Sequence, residues 1–590
     1  MARSYIQIPQ RRTTTLLVIT TIIFIIIFYR FYNIQVSQFD KNTSRARANS
    51  IREINISAPR GIIYDRNGIP LVDNRPTFDL KVIPIDVTEN FDFGLLAKSV
   101  NIPKNELQKK ILTGKKTIAR FRPLLLKRHV DFETMSKLEE NRINLPGLLF
   151  SRLPARIYPN DVRMTHALGY LRSVTEEIIS KSDKHLNYQL DDVYGAAGLE
   201  KIYELRLRGR NGVEYHLVDS YGRDRGITSY DESQLAISGD EMFLTIDSRL
   251  QLLAENLLSG KKGAIICSNP YNGDILSFVS MPDYNLSSFV GPIPIELWDE
   301  WNSNPEKPLM NRILNGTYPP GSSFKLLSAI YALESSRISS NWKVNCNGAY
   351  RFGNRYYHCW NPAGHGSINL KEAIKYSCNI YFYQLIQQIP FEDWAAIVKK
   401  FGFGEKTNID LPAEAVGIVP TKEYMDKKYT SRGWAFGNLL SFVIGQGDVL
   451  VTPIQMVQMI NLIATNGRTY SPHLSKDCLK SSITLDYKQS TWKFIQDAMY
   501  DVVNGEKGTG KNARITENGI VRGKTGTAQN PHGEDHSWFT GYVEAENGKM
   551  MSLAVLVENG GKGSEAAAPI AKELFKLFAE IQNNNENNVQ

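Results

Sequence analysis

The chain has 590 residues, too many for a single hydrophobic core, so two or three domains are expected. Apolar residues make up 42% and charged residues 22%, the mix of an ordinary folded protein and not of a disordered or fibrous one. The formal net charge of +8 is small for this length and is spread along the chain without a basic block, which argues against nucleic acid as a partner.

The first element is "TTTLLVITTIIFIIIFYRFYNIQV", Thr13 to Val36, whose apolar stretch is long enough to cross the hydrocarbon core of a bilayer. A transmembrane helix over 13–36 behind a short cytoplasmic tail, 1–12, is the expectation. A cleaved signal peptide fits less well: the small-residue site Ala46-Arg47-Ala48 lies well beyond the apolar run and contains an arginine. Arg3, Arg11 and Arg12 on one side are matched by Lys41, Arg45 and Arg47 on the other, so charge bias alone does not orient the helix. No second span of that length follows.

From Ile51 to Ser238 strand-like alternation such as "TFDLKVI" is mixed with helical patterns such as "LLAKSVN" and "FETMSKLEENR", which reads as an α+β domain over 51–238. Within it, "APRGIIYDRNGIPLVDN" supplies turn chemistry at Asp65 to Gly68 between two apolar runs. A boundary is expected near "ISGDEMFLTIDSRLQLLAENLL", where a Gly-Asp turn gives way to a strand and then an amphipathic helix. The second domain, 239–580, carries longer helical patterns. Three strands follow near its end, "GIVRGKTGTAQ", "SWFTGYV" and "MSLAVLVEN", whose short connections predict antiparallel neighbours. The final helix, "AAAPIAKELFKLFAEI", has the periodicity to pack on that sheet, and the polar tail 583–590, "NNNENNVQ", reads as disordered.

The chemistry concentrates at "YPPGSSFKLLSAIYALE", Tyr318 to Glu334. Pro319, Pro320 and Gly321 cannot continue a helix, so one is expected to begin near Ser322 and to present its first N–H groups and positive dipole end there. Lys325 falls one turn along on the same face, within reach of the Ser322 hydroxyl. Leu326, Leu327, Ile330, Tyr331 and Leu333 make the helix apolar on most sides, which desolvates the lysine, lowers its pKa and makes it a base. A plain helix cap with a solvated lysine is the competing reading, and what separates the two is the company these residues keep.

Two further pieces follow in chain order: "YSCNIYFYQL" with Ser377 and Asn379, and "VRGKTGTAQN" with Lys524, Thr525, Gly526 and Thr527. This is the Ser-x-x-Lys, Ser-x-Asn, Lys-Thr-Gly set of serine enzymes that are acylated by penicillins. With "RGIIYDRNG", "AAGLEKIYELRLRGRNG", "LTIDSRLQ" and "IGQGDVLVTPIQM", the chain resembles the class B penicillin-binding proteins from about Arg60 to the final helix. These are bitopic transpeptidases of bacterial wall synthesis.

The resemblance implies an α+β protein made of one transmembrane helix, an elongated pedestal domain and a transpeptidase domain with an antiparallel sheet flanked by helices. It implies that Ser322 attacks the penultimate D-alanine of a stem peptide with release of the terminal one, that Lys325 takes the serine proton with its pKa depressed further by Lys524, and that Ser377 relays the proton. Asn379 holds a lysine head group and the substrate amide. The Lys524–Thr527 strand edge binds the peptide as an added strand, with Gly526 permitting close approach and the Thr525 and Thr527 hydroxyls meeting the terminal carboxylate. The Ser322 and Thr527 N–H groups form the oxyanion hole.

No Glu-x-x-Leu-Asn follows Asn379, so the base used by class A β-lactamases for hydrolysis is missing. The region before 239 is unlike a glycosyltransferase. By resemblance the chain is an elongation-type D,D-transpeptidase inhibited by β-lactams, anchored in the inner membrane with its catalytic domain periplasmic, and working with a SEDS-family polymerase of the rod complex. A division-type transpeptidase and a non-catalytic β-lactam receptor or scaffold are the alternatives.

Three of the five cysteines fall between 346 and 378. Cys346, Cys359, His365 and Cys378, with His358 as a substitute, form a chemically sensible Cys3His zinc set, and Cys378 lies inside Ser-x-Asn. A Cys346–Cys359 disulfide and buried free thiols are the competing readings, since the irregular spacing does not give the connectivity. No cofactor is required for the acyl-transfer chemistry itself.

Overall fold

The structure is a computed structural model that describes residues 10–42, 51–121, 123–189, 192–218, 224–227, 234–291, 293–430, 433–531 and 533–587. The Ala46–Ala48 stretch and all but the last three residues of the expected cytoplasmic tail lie outside them. The first helix, α1 (Gln10–Tyr32), continues as a π turn over Asn33–Ser37, and the apolar span Thr13–Ser37 is long enough to cross a membrane and buries none of its surface against protein. Its leucines, isoleucines and phenylalanines stand exposed along the whole length, as lipid contact requires.

Beyond the helix the chain condenses into two compact units. One gathers residues up to Pro59 with Pro76–Pro154 and Arg210–Ser238. It contains a three-stranded sheet in the order Ile51–Ile56, Gly212–Val218, Asp224–Ile227. It also contains a small core in which Leu80 and Val82 meet Leu96, Leu107, Ile111, Leu126 and Leu138. The helical patterns expected here are formed as Phe93–Val100 and Phe132–Glu140, each opened by an aspartate, Asp92 or Asp131, that accepts backbone N–H groups of the first turn.

The other unit comprises Arg60–Arg75, Ala155–Gly209 and Gly239–Gln590. Residues 60–75 and 155–209, which the sequence places inside the first domain, therefore fold with the second. The Asp65 turn is formed as expected, with Asp65 Oδ1 accepting the N–H groups of Asn67 and Ile69 and Gly68 left-handed at φ 83°.

At the centre of this unit is a five-stranded antiparallel sheet. Its strands are β1 (Gly263–Ser268), β2 (Ile275–Met281), β3 (Gly519–Ala528), β4 (His536–Ala545) and β5 (Met550–Val557), in the spatial order β2-β1-β5-β4-β3. Every residue of β1 and β2 is buried, because both faces of the sheet are covered. The helices α2 (Ser248–Leu258) and α7 (Ala567–Asn587) pack on one face, α5 (Pro453–Ala464) and α6 (Gln489–Asn504) on the other.

All twelve residues of α5 are buried, so this apolar helix is the middle of a soluble core; Thr452 and Gln455 close its start with a reciprocal capping box. β3 stands at the edge of the sheet, leaving one side of its backbone unpaired by any strand. The final helix runs to Asn587, into the segment read as a disordered tail, because extending a helix that is already formed adds one hydrogen bond per residue fixed. Residues 588–590 lie outside the described residues.

Candidate active site

Ser322 sits in a 3-10 turn, Gly321–Phe324, and the regular helix α3 (Lys325–Glu334) starts at Lys325, three residues later than the sequence suggests. Gly321 explains the delay. It is left-handed at φ 58°, and a Cβ there would stand 2.8 Å from Thr527 O, so only glycine lets the turn close onto β3. The Trp538 indole N–H donates to Pro319 O at 3.0 Å and fixes the entry to the turn from β4.

Lys325 is fully buried on the apolar helix, as its pattern predicts. Its ammonium donates to Ser377 O at 2.8 Å, Ser377 Oγ at 3.3 Å and Asn379 Oδ1 at 2.7 Å. The contact expected with Ser322 Oγ is not among the hydrogen bonds formed by the described residues: the Ser-x-Asn segment offers better-placed acceptors. Lys524, on β3 and equally buried, donates to the same Ser377 Oγ at 2.9 Å and to Thr525 O at 3.1 Å. The Ser377 hydroxyl therefore bridges two lysines.

Burial pushes Lys325 down to about 8, and nearby thiols act weakly in the opposite sense. Lys524 is held well below the ordinary lysine range, first by burial and then by the like charge of Lys325. The two buried amines therefore disfavour each other's charged form, in the sense expected of a like-charged pair.

Ser377 follows the helix Leu370–Lys375 and is left-handed at φ 55°. Its N–H donates to Ile374 O at 3.2 Å and that of Cys378 donates to Ala373 O at 2.9 Å, the paired bonds of a Schellman C-cap. A serine therefore occupies the position glycine usually takes, a strain on the order of 1 kcal/mol that aims its hydroxyl at both amines. Asn379 opens α4 (Asn379–Leu385), and its side-chain N–H donates to His358 O at 3.2 Å.

On β3, the Thr525 hydroxyl donates to Thr509 Oγ1 at 3.0 Å and Thr527 Oγ1 accepts the Gly563 N–H at 3.2 Å. A Cβ on Gly526 would meet Trp538 Cβ at 2.9 Å and Pro320 O at 3.0 Å, so the space beside it is taken up by β4 and by the turn that leads into Ser322. Two residues that touch this site carry no role in the sequence reading: Thr509, and Gln446, whose side chain bonds Thr527 O and the Gln529 N–H. The stretch "IGQGDVLVTPIQM" held Gln446, but nothing in its pattern reveals a long-range partner.

Cys346, Cys359, His365 and Cys378 place their ligand atoms within 4.8 Å of one another. His365 Nδ1 lies 3.5 Å from Cys346 Sγ and 3.6 Å from Cys359 Sγ. Ligands around a tetrahedral zinc with 2.3 Å Zn–S bonds stand roughly 3.8 Å apart, so the set fits such an ion. The four atoms converge on one point, which a Cys346–Cys359 disulfide would not require of His365 and Cys378. His358 is exposed and outside the cluster.

Residues 263–576 match the family model of the penicillin binding protein transpeptidase domain, and residues 55–243 that of the penicillin-binding protein dimerisation domain. A peptidoglycan D,D-transpeptidase MrdA of Haemophilus influenzae is 31% identical over 96% of this chain and 91% of its own. The penicillin-binding protein PBP2 of Helicobacter pylori, solved in complex with MreC, superposes with a TM-score of 0.77 at 28% identity over 89% of this chain and 99% of its own. A chain of a peptidoglycan synthase complex that coordinates polymerization and crosslinking gives a TM-score of 0.72 at 27% identity over 95% and 97%. Domain models, relatives spanning nearly the whole chain and the assembled motifs agree: the chain belongs to the class B penicillin-binding proteins, of the penicillin-binding protein 2 type.

Proposed function

We propose that the chain is the elongation-type peptidoglycan D,D-transpeptidase of its cell, forming a Ser322 acyl-enzyme with a stem peptide and passing it to the amine of a neighbouring one. The observation that carries this reading is the Ser377 hydroxyl held between two buried amines beside the Ser322 turn. Lys325 in its neutral form takes the Ser322 proton as the Oγ–carbonyl bond forms. Ser377 passes the proton to the departing D-alanine amine as the peptide bond breaks. The backbone N–H groups of Ser322 and Thr527 hold the oxyanion, each worth about 3 kcal/mol of barrier. Thr525 and Thr527 orient the terminal carboxylate, and the free edge of β3 receives the donor peptide as a further strand.

Incubation with labelled ampicillin, followed by trypsin, leaves the adduct on the peptide Ile313–Lys325; an unmodified peptide overturns the reading. Because Lys325 must be neutral to act, acylation climbs with pH by about tenfold per unit below pH 8 and levels off above it, as the burial-lowered value of about 8 requires. A stopped-flow pH profile of acylation reads this directly, and a flat profile between pH 6 and 8 removes Lys325 from the role of base.

The apolar helix at Thr13–Ser37 anchors the protein in the inner membrane, and a wall substrate requires the catalytic unit on the periplasmic side. The first unit serves as a pedestal. One relative's complex with MreC and another's place in a peptidoglycan synthase complex support partners in the rod complex, and a SEDS-family polymerase is the partner that the family resemblance implies. The relatives give the division-type alternative no support.

At the Cys3His cluster the geometry favours a structural zinc held by Cys346, Cys359, His365 and Cys378. It would fix Cys378, and with it the flanking Ser377 and Asn379. Metal analysis of protein purified without added zinc is expected to find one zinc per chain, and none after Cys346→Ala. A mass two hydrogens short with no metal decides instead for the disulfide.

A further inference from the structure

Gly445, Gln446 and Gly447 form a turn outside the three motifs, yet it holds two of them. Gly445 O accepts the Gly321 N–H at 2.9 Å, immediately before Ser322. Gly445 is left-handed at φ 69°, and a Cβ there would lie 2.2 Å from Gly321 O, so the approach is available to glycine alone. One residue on, Gln446 Nε2 donates to Thr527 O at 3.1 Å and Gln446 Oε1 accepts the Gln529 N–H at 3.3 Å.

Alternate residues of an edge strand turn both backbone groups outward, and Thr527, near the end of β3, and Gln529, just past it, are two apart. The carboxamide of Gln446 thus makes the pair of hydrogen bonds that the N–H and C=O of one residue in a neighbouring parallel strand would make. The peptide units around Thr527 are gripped on the β4 side by the β-ladder, where Gly526 pairs with Trp538 and Thr527 with Ser537, and on the free side by one side chain. The same turn grips Gly321, so the two backbone segments that carry the proposed oxyanion donors are tied to a single support.

We infer that Gln446 is a positioning residue for the oxyanion hole: its carboxamide holds the end of β3 so that the Thr527 N–H points at the oxyanion position beside Ser322. The inference rests on the acyl-enzyme reading above and adds a residue to it. Loss of the side chain leaves Thr527 O and the Gln529 N–H without their partner, and the strand end is free to turn the Thr527 donor out of line. Ground-state binding of a β-lactam along β3 is kept, while stabilisation of the tetrahedral oxygen is lost.

The test uses the full-length protein, labelled ampicillin in stopped flow, and infrared difference spectra of the acyl-enzyme. For Gln446→Ala the acylation rate constant is expected to fall roughly tenfold or more at unchanged noncovalent affinity. The ester carbonyl stretch is expected to move to higher wavenumber, because the carbonyl is less polarised. Gln446→Glu has the same size but at neutral pH cannot donate to Thr527 O. Its rate should fall further and recover relative to wild type on acidification, when the carboxyl regains a proton to donate. Asp448, two residues along the chain, is held by Lys428 and by the Tyr429 hydroxyl.

Wild-type acylation rates in both variants, or a loss confined to affinity with an unshifted carbonyl, overturn the inference. Should the alanine variant fail to fold, the pH-dependent recovery of the glutamate variant decides, and its absence overturns the inference. If wild type itself forms no adduct on Ile313–Lys325, the acyl-enzyme reading falls first; if wild type is acylated and the variants match it, only the role of Gln446 falls.

Discussion

Ser322→Ala is expected to lower acylation by labelled ampicillin by on the order of 10⁴-fold or more while melting at the wild-type temperature. The first half follows from the surroundings. The neighbouring Ser323 is fully buried and close to the backbone of Gly526, so it cannot replace the missing oxygen at the cleft. The second half follows from what the replacement leaves behind. Ser322 is half-buried and its Oγ is not among the hydrogen-bonded atoms of the described residues, so no partner is orphaned. Cells depleted of the native chain and supplied with this variant are expected to round up, because the folded protein is present and the cross-linking chemistry is not. Rod growth supported by the variant, or an adduct still found on Ile313–Lys325, would refute the assignment.

Glu200→Ala is expected to be the most destabilising single change at a distance from the chemistry, at about 3–5 kcal/mol. Glu200 is buried between two guanidiniums, with Arg60 Nη2 at 2.7 Å and Arg156 Nε at 2.8 Å, and Arg60 reaches Glu204 as well at 2.7 Å. Burial alone would raise the Glu200 carboxyl, but Arg156 and Arg60 outweigh it and hold the pKa below the ordinary range. Removing the carboxylate leaves two buried cations with one remaining acid. Because the folded pKa lies below the unfolded one, the contribution is present above the unfolded carboxyl's pKa and is lost as acid titrates the folded group. Denaturant titrations at pH 7 are expected to show the deficit, and the gap between variant and wild type should narrow as the pH is lowered. A deficit under 1 kcal/mol at pH 7 would mean the cluster is hydrated and not buried.

How much of this was legible in the chain differs by residue. Ser322, Lys325, Ser377, Asn379 and Lys524 could be named because each lies in a short motif whose residue types are set by chemistry, and the structure joins the last four by hydrogen bonds. The three C-terminal strands and the helix behind them were legible from period alone. What the pattern could not give was long-range. Arg60 and Glu200 sit in two stretches singled out as landmarks, yet their pairing joins positions 140 residues apart. Gln446 and Thr509 read as ordinary polar loop residues, because their function is a bond to a strand far along the chain. The crowding at Gly526 is hidden for the same reason: Pro320, which presses on it together with Trp538, lies far from it in the chain. The return of residues 60–75 and 155–209 to the second unit likewise follows from pairings that no local signal encodes.

The left-handed turn at Ser377 narrows the routes by which selection under an antibiotic can alter this protein. A β-branched or bulky replacement there inherits the backbone penalty, while glycine or asparagine relaxes it but discards the hydroxyl shared by the two amines. Heritable tolerance to a drug that presses on this turn is therefore expected at positions other than Ser377, where side chains can change without deforming the main chain.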